Sequence, residues 1–249
     1  MYKVYAITDI GMKRQENQDG FCVDGIISTN ENHREIYYET DSNSIHVALC
    51  DGVGSTKYAN YAVRKTLEFV AGNICLDSEK DINSFVNEMN SYVYRSSVKD
   101  QKEDSATTIV GFIIKNGIAY SYNIGDSASF TINNGYLEKR SVDDTGMESV
   151  GIIENYGEKL INEKPPLLQS IGTNEFLDFV HVSKVENEDV YLLSSDGILD
   201  MLSLDEVEDV INHSDGSLKE IACKLVDSAN RKGGLDNATV IIVVDEQEG

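Results

Sequence analysis

The order of the apolar segments constrains the fold of this 249-residue chain more than any other feature. Strand-like runs open the sequence, and two amphipathic helical segments follow. Then come two hairpins, a strand, two further helical segments and a last strand. A parallel doubly wound sheet would require strands and helices to alternate along the chain, which they do not. The order therefore predicts antiparallel sheets with helices packed on the outside, in one domain over residues 1–249.

Short polar motifs indicate where the hairpins turn and where the late helices begin. Asn116-Gly117 and Asn134-Gly135 each lie between apolar runs. Both residues of an Asn-Gly pair tolerate the positive φ that a tight turn requires. The segments SLDE at 203–206 and SLKE at 217–220 place a glutamate three residues after a serine. This spacing is typical of a capping box, so we expect a helix to begin at each serine.

Charge and composition exclude several classes of function. Forty-three acidic residues against twenty-one basic ones give a formal net charge of -22, which would repel nucleic acid. The apolar runs are too short to cross a bilayer, and the N-terminus lacks the pattern of a secretory signal. Four scattered cysteines without a C-x-x-C pair are typical of reduced thiols. We therefore expect a cytoplasmic protein without nucleic-acid or membrane partners.

Five aspartates stand at the end or the start of a strand that is apolar enough to lie in the core. They are Asp19, Asp51, Asp126, Asp196 and Asp236. A single Asp-Gly pair is more often a turn than a site, and Asp24-Gly25 is interpreted as a turn. If the other strand ends meet, their carboxylates repel one another unless a cation neutralises them. Ligands that are all oxygen favour Mg²⁺ or Mn²⁺ over Zn²⁺, so the sequence predicts such a site.

Six motifs, read in order, resemble one enzyme family. They are RQENQD, CDGVG, SATT, IGDS, SSDGILD and LDNATVIIV. Together they are similar to the metal-dependent serine/threonine protein phosphatases of type 2C, in their bacterial form, over nearly the whole chain. The resemblance implies an α+β fold, a four-layer αββα sandwich of two antiparallel β-sheets flanked by helix pairs. It also implies phosphorylated protein substrates. Because the sequence shows no additional domain and no membrane segment, we expect a stand-alone enzyme, a monomer that opposes a serine/threonine kinase.

The resemblance assigns metal ligands motif by motif. Asp51 resembles the carboxylate that bridges two cations, Mn²⁺ or Mg²⁺, and Gly52 the residue that gives its carbonyl to one of them. A glycine at that position also lets the backbone come close to an ion. Asp196 and Asp236 resemble the ligands of the other cation. Asp126 resembles the acid that helps to hold a third, weaker cation.

Two further residues and a mechanism follow from the same resemblance. Asp19 resembles the family's acid that acts through a bound water, and Arg14 the arginine that grips the substrate phosphate. Two cations would neutralise phosphate charge and lower the pKa of a bridging water, so that hydroxide attacks phosphorus without a covalent intermediate. The guanidinium of Arg14 can bind phosphate through two parallel N–H groups, which lysine cannot do.

The chain departs from the family pattern at two places, and one alternative function stays open. Gln18 stands where some members have glutamate, and we interpret it as tolerated. Residues 142–167, where the family carries a mobile flap, lack an expected histidine. The alternative is a catalytically silent phosphatase-like module that binds a partner; the retained acids argue against it. The sequence contains no Cys-x₅-Arg motif, no phosphate-binding P-loop and no G-x-S-x-G motif. Their absence argues against a cysteine-dependent phosphatase, a P-loop nucleotide switch and a serine hydrolase, respectively.

Overall fold

The computed structural model describes residues 1–73, 78–146, 165–186 and 188–246, and within these ranges the strands form two six-stranded antiparallel sheets. The first sheet contains, in spatial order, β4 (His33–Thr40), β1 (Tyr2–Asp9), β12 (Ala238–Asp245), β11 (Val190–Ser194), β8 (Ala128–Asn133) and β9 (Tyr136–Lys139). The second contains β10 (His181–Glu186), β7 (Ile118–Ile124), β6 (Ile109–Lys115), β5 (Ser44–Asp51), β2 (Asp19–Val23) and β3 (Ile26–Thr29).

Helices cover the outer face of each sheet. They are α1 (Ala59–Ala71), α2 (Glu79–Lys99), α3 (Asp196–Leu199), α4 (Leu204–Asn212) and α5 (Leu218–Arg231). Buried side chains of α1 and α2 pack on the second sheet, and those of α4 and α5 pack on the first. The predicted α+β architecture of two antiparallel sheets flanked by helices is confirmed. Of the helices in the described ranges, none is both long and apolar enough to cross a bilayer.

The two sheets pack face to face around a continuous apolar core. Phe112 of β6 and Tyr191 of β11 meet across this interface with ring centroids 5.1 Å apart, in a T-shaped arrangement. Val4, Leu49 and their neighbours in this layer are completely buried. Because the chain passes several times between the two sheets, residues from both its N-terminal and its C-terminal segments contribute to this core.

The predicted turns and one predicted cap are confirmed. Asn116 and Gly117 have φ of 51° and 75° between β6 and β7, and the second Asn-Gly pair has the same conformation between β8 and β9. At the start of α4 the Ser203 side chain accepts from the Glu206 N–H, while the glutamate accepts from the Ser203 N–H. Asp24-Gly25 is a turn with positive φ at both residues, as expected.

Some local features differ from the sequence-based expectation. Ser217 caps α5 by accepting from the Glu220 N–H, but the glutamate accepts from the backbone N–H of Asp215. Gly216, with φ of 85°, lies between Asp215 and Ser217 and turns the chain there. Strands β3 and β10 were not predicted, because β3 has only 4 residues and the two apolar residues of β10, Val182 and Val185, lie three positions apart, so neither shows clear apolar alternation.

The region predicted to be the flap, residues 142–167, lies partly outside the described residues, which omit 147–164. Its two described ends are joined at Thr145 and Leu167 by an isolated bridge. Asp144 is 2% exposed and accepts from three donors: the Gly125 N–H at 2.9 Å, His181 Nε2 at 2.7 Å and Gln169 Nε2 at 3.1 Å. Asp144, in the described part of this segment, is thus bound by a histidine of β10.

Candidate metal and phosphate site

The predicted site residues lie at strand ends of both sheets. Asp19 begins β2 and Asp51 ends β5, and these two residues are direct partners in the antiparallel ladder of the second sheet. In the first sheet, Asp196 opens α3 immediately after β11, and Asp236 precedes β12. Strands β11 and β12 are also paired, so their ends lie side by side. The topology therefore brings two acids from each sheet to one edge of the sandwich.

Thr239 of β12 links the two sheets at this edge. Its hydroxyl donates to Asp19 Oδ2 at 2.6 Å, and its backbone N–H donates to the Ser195 hydroxyl at 2.9 Å. Ser195 directly precedes Asp196. One threonine therefore fixes the carboxylate of the second sheet relative to the helix start that carries an acid of the first.

Asp19 is a buried carboxylate whose hydrogen bonding is incomplete within the described residues. It is 1% exposed, and its Oδ1 accepts no hydrogen bond from the described part of the chain. Burial raises its pKa to about 6, although hydrogen bonds from Thr239 and Ser195 act in the opposite direction. A buried carboxylate oxygen without a donor fits a bound cation or a water held by one.

Arg14 lies among these acids. Its Nη2 donates to Asp236 Oδ2 at 2.5 Å, in a pair whose side chains are 42% and 28% exposed. The hydrogen bond to Asp236 is the main cause that raises the pKa of Arg14, and the carboxylates of Asp51 and Asp19 raise it further. A Cβ added at Gly54 would lie 3.4 Å from Arg14 Nη1, so the chain after Asp51 passes close to the guanidinium.

Asn237 positions the loop that carries Arg14, and sequence reasoning did not single it out. Its Nδ2 donates to the carbonyls of Ile10 and Glu16, at 2.9 and 3.1 Å, and its Oδ1 accepts from the Gln18 N–H at 2.8 Å. Its own N–H donates to Asp236 Oδ1 at 2.8 Å. The motif LDNATVIIV contained this residue, but a role was assigned only to its aspartate.

Two glycines allow the backbone segments of the site to approach closely. A Cβ at Gly52 would lie 2.9 Å from the Gln18 carbonyl oxygen and equally close to the Cβ of Ala59. A Cβ at Gly197 would lie 1.9 Å from the Asn237 carbonyl oxygen, far inside contact distance. Both positions therefore require the absence of a side chain, and both adjoin predicted ligands.

Asp126 lies farther along the same edge, in the turn between β7 and β8. The turn is tied to the site through hydroxyl groups: Ser127 Oγ and Thr108 Oγ1 are 2.8 Å apart, and the Thr108 hydroxyl accepts from the Asp51 N–H at 3.1 Å. The backbone carbonyl of Asp51 also accepts from the Thr108 N–H at 2.8 Å. The described contacts thus join the Asp126 turn to the backbone of Asp51.

The carboxylates are neighbours, but they are not arranged as a closed set of ligands. Across the described ranges, no group of three or more His, Cys, Asp or Glu side chains is positioned so that it could hold a metal ion. Carboxylates a few ångströms apart repel one another, and Asp236 takes the Arg14 guanidinium as its counter-charge. The donor chemistry nevertheless fits hard divalent cations, because every candidate group presents oxygen and one buried oxygen of Asp19 has no donor.

Comparison with known families settles the classification. The family described as protein phosphatase 2C matches residues 32–233. The chain belongs to the protein phosphatase 2C family. Among relatives of this phosphatase, protein phosphatase PhpP of Streptococcus pneumoniae is 29% identical over 262 residues, covering 99% of this chain and 98% of the relative. A putative protein phosphatase 2C-type of Streptococcus pyogenes is 26% identical over 257 residues, with the same coverage of both chains.

Solved structures of other phosphatases share the fold of this family member. The serine/threonine phosphatase of S. agalactiae superposes with a TM-score of 0.80 at 22% identity, over 99% of this phosphatase and 100% of the other chain. The catalytic domain of protein phosphatase PstP, in complex with two manganese ions, superposes with a TM-score of 0.74 at 20% identity, over 98% and 99% of the two chains.

Proposed function

We propose that this phosphatase hydrolyses phosphoserine and phosphothreonine in protein substrates, at a metal centre held by Asp51, Gly52, Asp196 and Asp236. The observation that carries the proposal is the meeting of acid-bearing strand ends from both sheets around Arg14. Membership of the protein phosphatase 2C family and relatives named as bacterial serine/threonine phosphatases support it. The two manganese ions described for PstP support metal dependence.

The proposed oxygen ligands of the cations come from both sheets. Asp51 would contribute its carboxylate and Gly52 its carbonyl from the end of β5, while Asp196 and Asp236 would act from the facing sheet. Two divalent cations, when bound, supply neutralisation of phosphate charge and a more acidic water. Asp19, held by Thr239, would accept a hydrogen bond from a water at its Oδ1.

Arg14 would bind the substrate phosphate, and its present partner does not prevent this. To reach a phosphate, the guanidinium must release Asp236. Exposed ion pairs contribute about 1 kcal/mol or less, and this pair is 42% and 28% exposed, so the exchange costs little. The planar guanidinium can then present two parallel N–H donors to two phosphate oxygens. We infer that Asp236 and the phosphate compete for this side chain.

The proposal also includes the choice of cation, the domain organisation, the cellular location and the oligomeric state. It comprises Mg²⁺ as an alternative to Mn²⁺, a third cation near Asp126, a single catalytic domain over residues 1–249, and a cytoplasmic monomer that acts against a serine/threonine kinase. The core shared by both sheets supports the single domain. The free thiols of Cys22, Cys50 and Cys223 are usual in a reducing compartment. Size-exclusion chromatography with light scattering tests the oligomeric state.

Hydrolysis of para-nitrophenyl phosphate tests the metal mechanism. We expect turnover with Mn²⁺ that EDTA abolishes and that Asp196→Ala or Asp236→Ala nearly eliminates. Asp41→Ala, at an exposed aspartate outside the site, serves as the matched control and should retain full activity. Robust turnover in EDTA would contradict the metal mechanism. A folded protein that is inactive with every divalent cation would favour the silent binding module instead.

A further inference from the structure

A group of cations and aromatic rings surrounds the start of α1. We define the Tyr58 cluster by its members: Lys57, Tyr58, Tyr61, Arg64, Lys65 and Lys102. The ammonium of Lys57 lies 5.0 Å from the centroid of the Tyr58 ring, and that of Lys102 lies 5.8 Å from the same centroid. Lys102 also lies 4.6 Å from the Tyr61 ring. Two rings therefore hold the cations close together by cation–π contacts.

The other two cations of the cluster contact Tyr61 alone. Lys65 Nζ lies 5.9 Å and Arg64 Cζ 5.8 Å from its ring centroid. Both are paired with Glu68, at 2.9 and 3.9 Å. In a chain with only twenty-one basic residues and a net charge of -22, four cations around two neighbouring rings form an unusual concentration.

Lys57 and Lys102 are the members whose charge is available to a partner. Neither ammonium has a carboxylate within 4.0 Å in the described part of the chain, whereas Lys65 and Arg64 do. Two acids that are close in sequence to Lys102 accept other hydrogen bonds: Asp104 accepts from the backbone N–H of Lys57 at 3.1 Å, and Asp100 accepts from the Tyr61 hydroxyl at 2.8 Å. Ring contacts keep the two ammonium groups near the surface without neutralising them.

The cluster adjoins the proposed catalytic centre. A Cβ at Gly52 would lie 2.9 Å from the Cβ of Ala59, the first residue of α1, so the helix starts against the predicted ligand. Gly54 lies beside the Arg14 guanidinium, and Lys57 is three positions further along the chain, which spans about 10 Å at most. An extended peptide advances about 3.3 Å per residue. A peptide with its phosphate at Arg14 would therefore place a residue about three to five positions away over the cluster.

We propose that the Tyr58 cluster recognises acidic residues about three to five positions from the phosphorylated residue of a protein substrate. The inference rests on the proposed phosphatase function and specifies its substrate class. Elsewhere the acidic surface repels such a segment, so the cluster offers it an attractive contact next to the site. A small phosphate ester is too short to reach the cluster from Arg14.

Two phosphopeptides test the proposal, one with glutamates three to five positions from the phosphothreonine and one with serines there. The wild type should have a higher kcat/KM for the acidic peptide. Lys102→Glu, and independently Lys57→Glu, should lower that value about fivefold at low salt, change the serine peptide less than twofold, and leave para-nitrophenyl phosphate turnover unchanged. The matched control is Lys80→Glu, the same charge change at the opposite end of the α1–α2 pair.

The possible results distinguish a failure of the acidic-peptide inference from a failure of the proposed phosphatase function. No preference of the wild type for the acidic peptide would overturn the inference, and so would equal losses in Lys102→Glu and Lys80→Glu, which indicate only a long-range field. In either case Mn²⁺-dependent turnover of para-nitrophenyl phosphate would remain, and the proposed function would stand. Absence of that turnover in the wild type would refute the proposed function itself.

Discussion

His46 allows the pH dependence of stability to be predicted from the structure. It lies on β5 and is 1% exposed. Its Nε2 is 2.7 Å from the Tyr122 hydroxyl, and the rings of Phe85 and Tyr122 pack edgewise against it at 5.8 Å. Burial lowers its pKa from 6.5 to about 4, although the nearby Asn73 backbone acts to raise it. The ring is therefore neutral in the folded protein, and we assign Nε2 as the acceptor of the tyrosine proton.

The sign and size of the effect follow from linkage. The unfolded chain binds a proton at this histidine near pH 6.5, whereas the folded protein does so only near pH 4. The stabilisation is thus complete above pH 6.5 and is lost as the pH falls toward 4. The full difference corresponds to about 3 kcal/mol, and about 2 kcal/mol of it is already lost at pH 5.

Urea unfolding at pH 7.5 and pH 5 measures this loss. The comparison variant is His46→Phe combined with Tyr122→Phe, which removes the titrating group without leaving a buried hydroxyl unpaired. Other titrating groups, such as His33 with its raised pKa, are common to both proteins and cancel in the difference. The wild type should lose about 2 kcal/mol more than the variant between the two pH values. An equal or smaller loss in the wild type would show that His46 is not held neutral by burial.

Four further substitutions probe the site and the residues that support it. Arg14→Lys should raise KM for a phosphopeptide about tenfold while changing kcat less, because one of two parallel N–H donors is lost; steady-state kinetics decide this. Gly197→Ala places a Cβ 1.9 Å from the Asn237 carbonyl, so activity and melting temperature should both fall, and unchanged values would show that the backbone yields without cost. Asp144→Leu removes the acceptor of the buried Gly125 N–H and of two partly exposed donors, Gln169 Nε2 and His181 Nε2, and should destabilise the fold by about 2 kcal/mol in urea, with His181→Gln costing less.

The sequence was most informative where local chemistry decides the structure. An Asn-Gly pair adopts positive φ wherever two strands need a tight turn, so both hairpins were predictable. Helices α1 and α2 were predictable from the spacing of their apolar residues, since one face of each is buried on the second sheet. Strand β10 was not, because its two apolar residues, Val182 and Val185, lie three positions apart and do not follow the period of two that indicates a strand.

The site could be predicted only in part. The acids at strand ends were visible in the sequence, and the topology brings Asp19, Asp51 and the acids of the other sheet to one edge. The supporting polar residues were not visible, because Asn237 and Thr239 act through partners more than 200 residues away in sequence. The salt bridge between Arg14 and Asp236 was also not predicted, because nothing local to either residue indicates the other.

The pairing of β1 with β12 has a consequence for how the protein becomes active during synthesis. Their register joins Tyr2 to Asp245, and β12 lies between β1 and β11 in the first sheet. Closing so long a loop is entropically costly and slow. A growing chain that has reached only the end of α5 therefore holds two separated sheet fragments and lacks Asp236. We therefore expect phosphatase activity only in chains synthesised through β12, because the proposed ligand Asp236 directly precedes that strand and β12 joins the two parts of the first sheet.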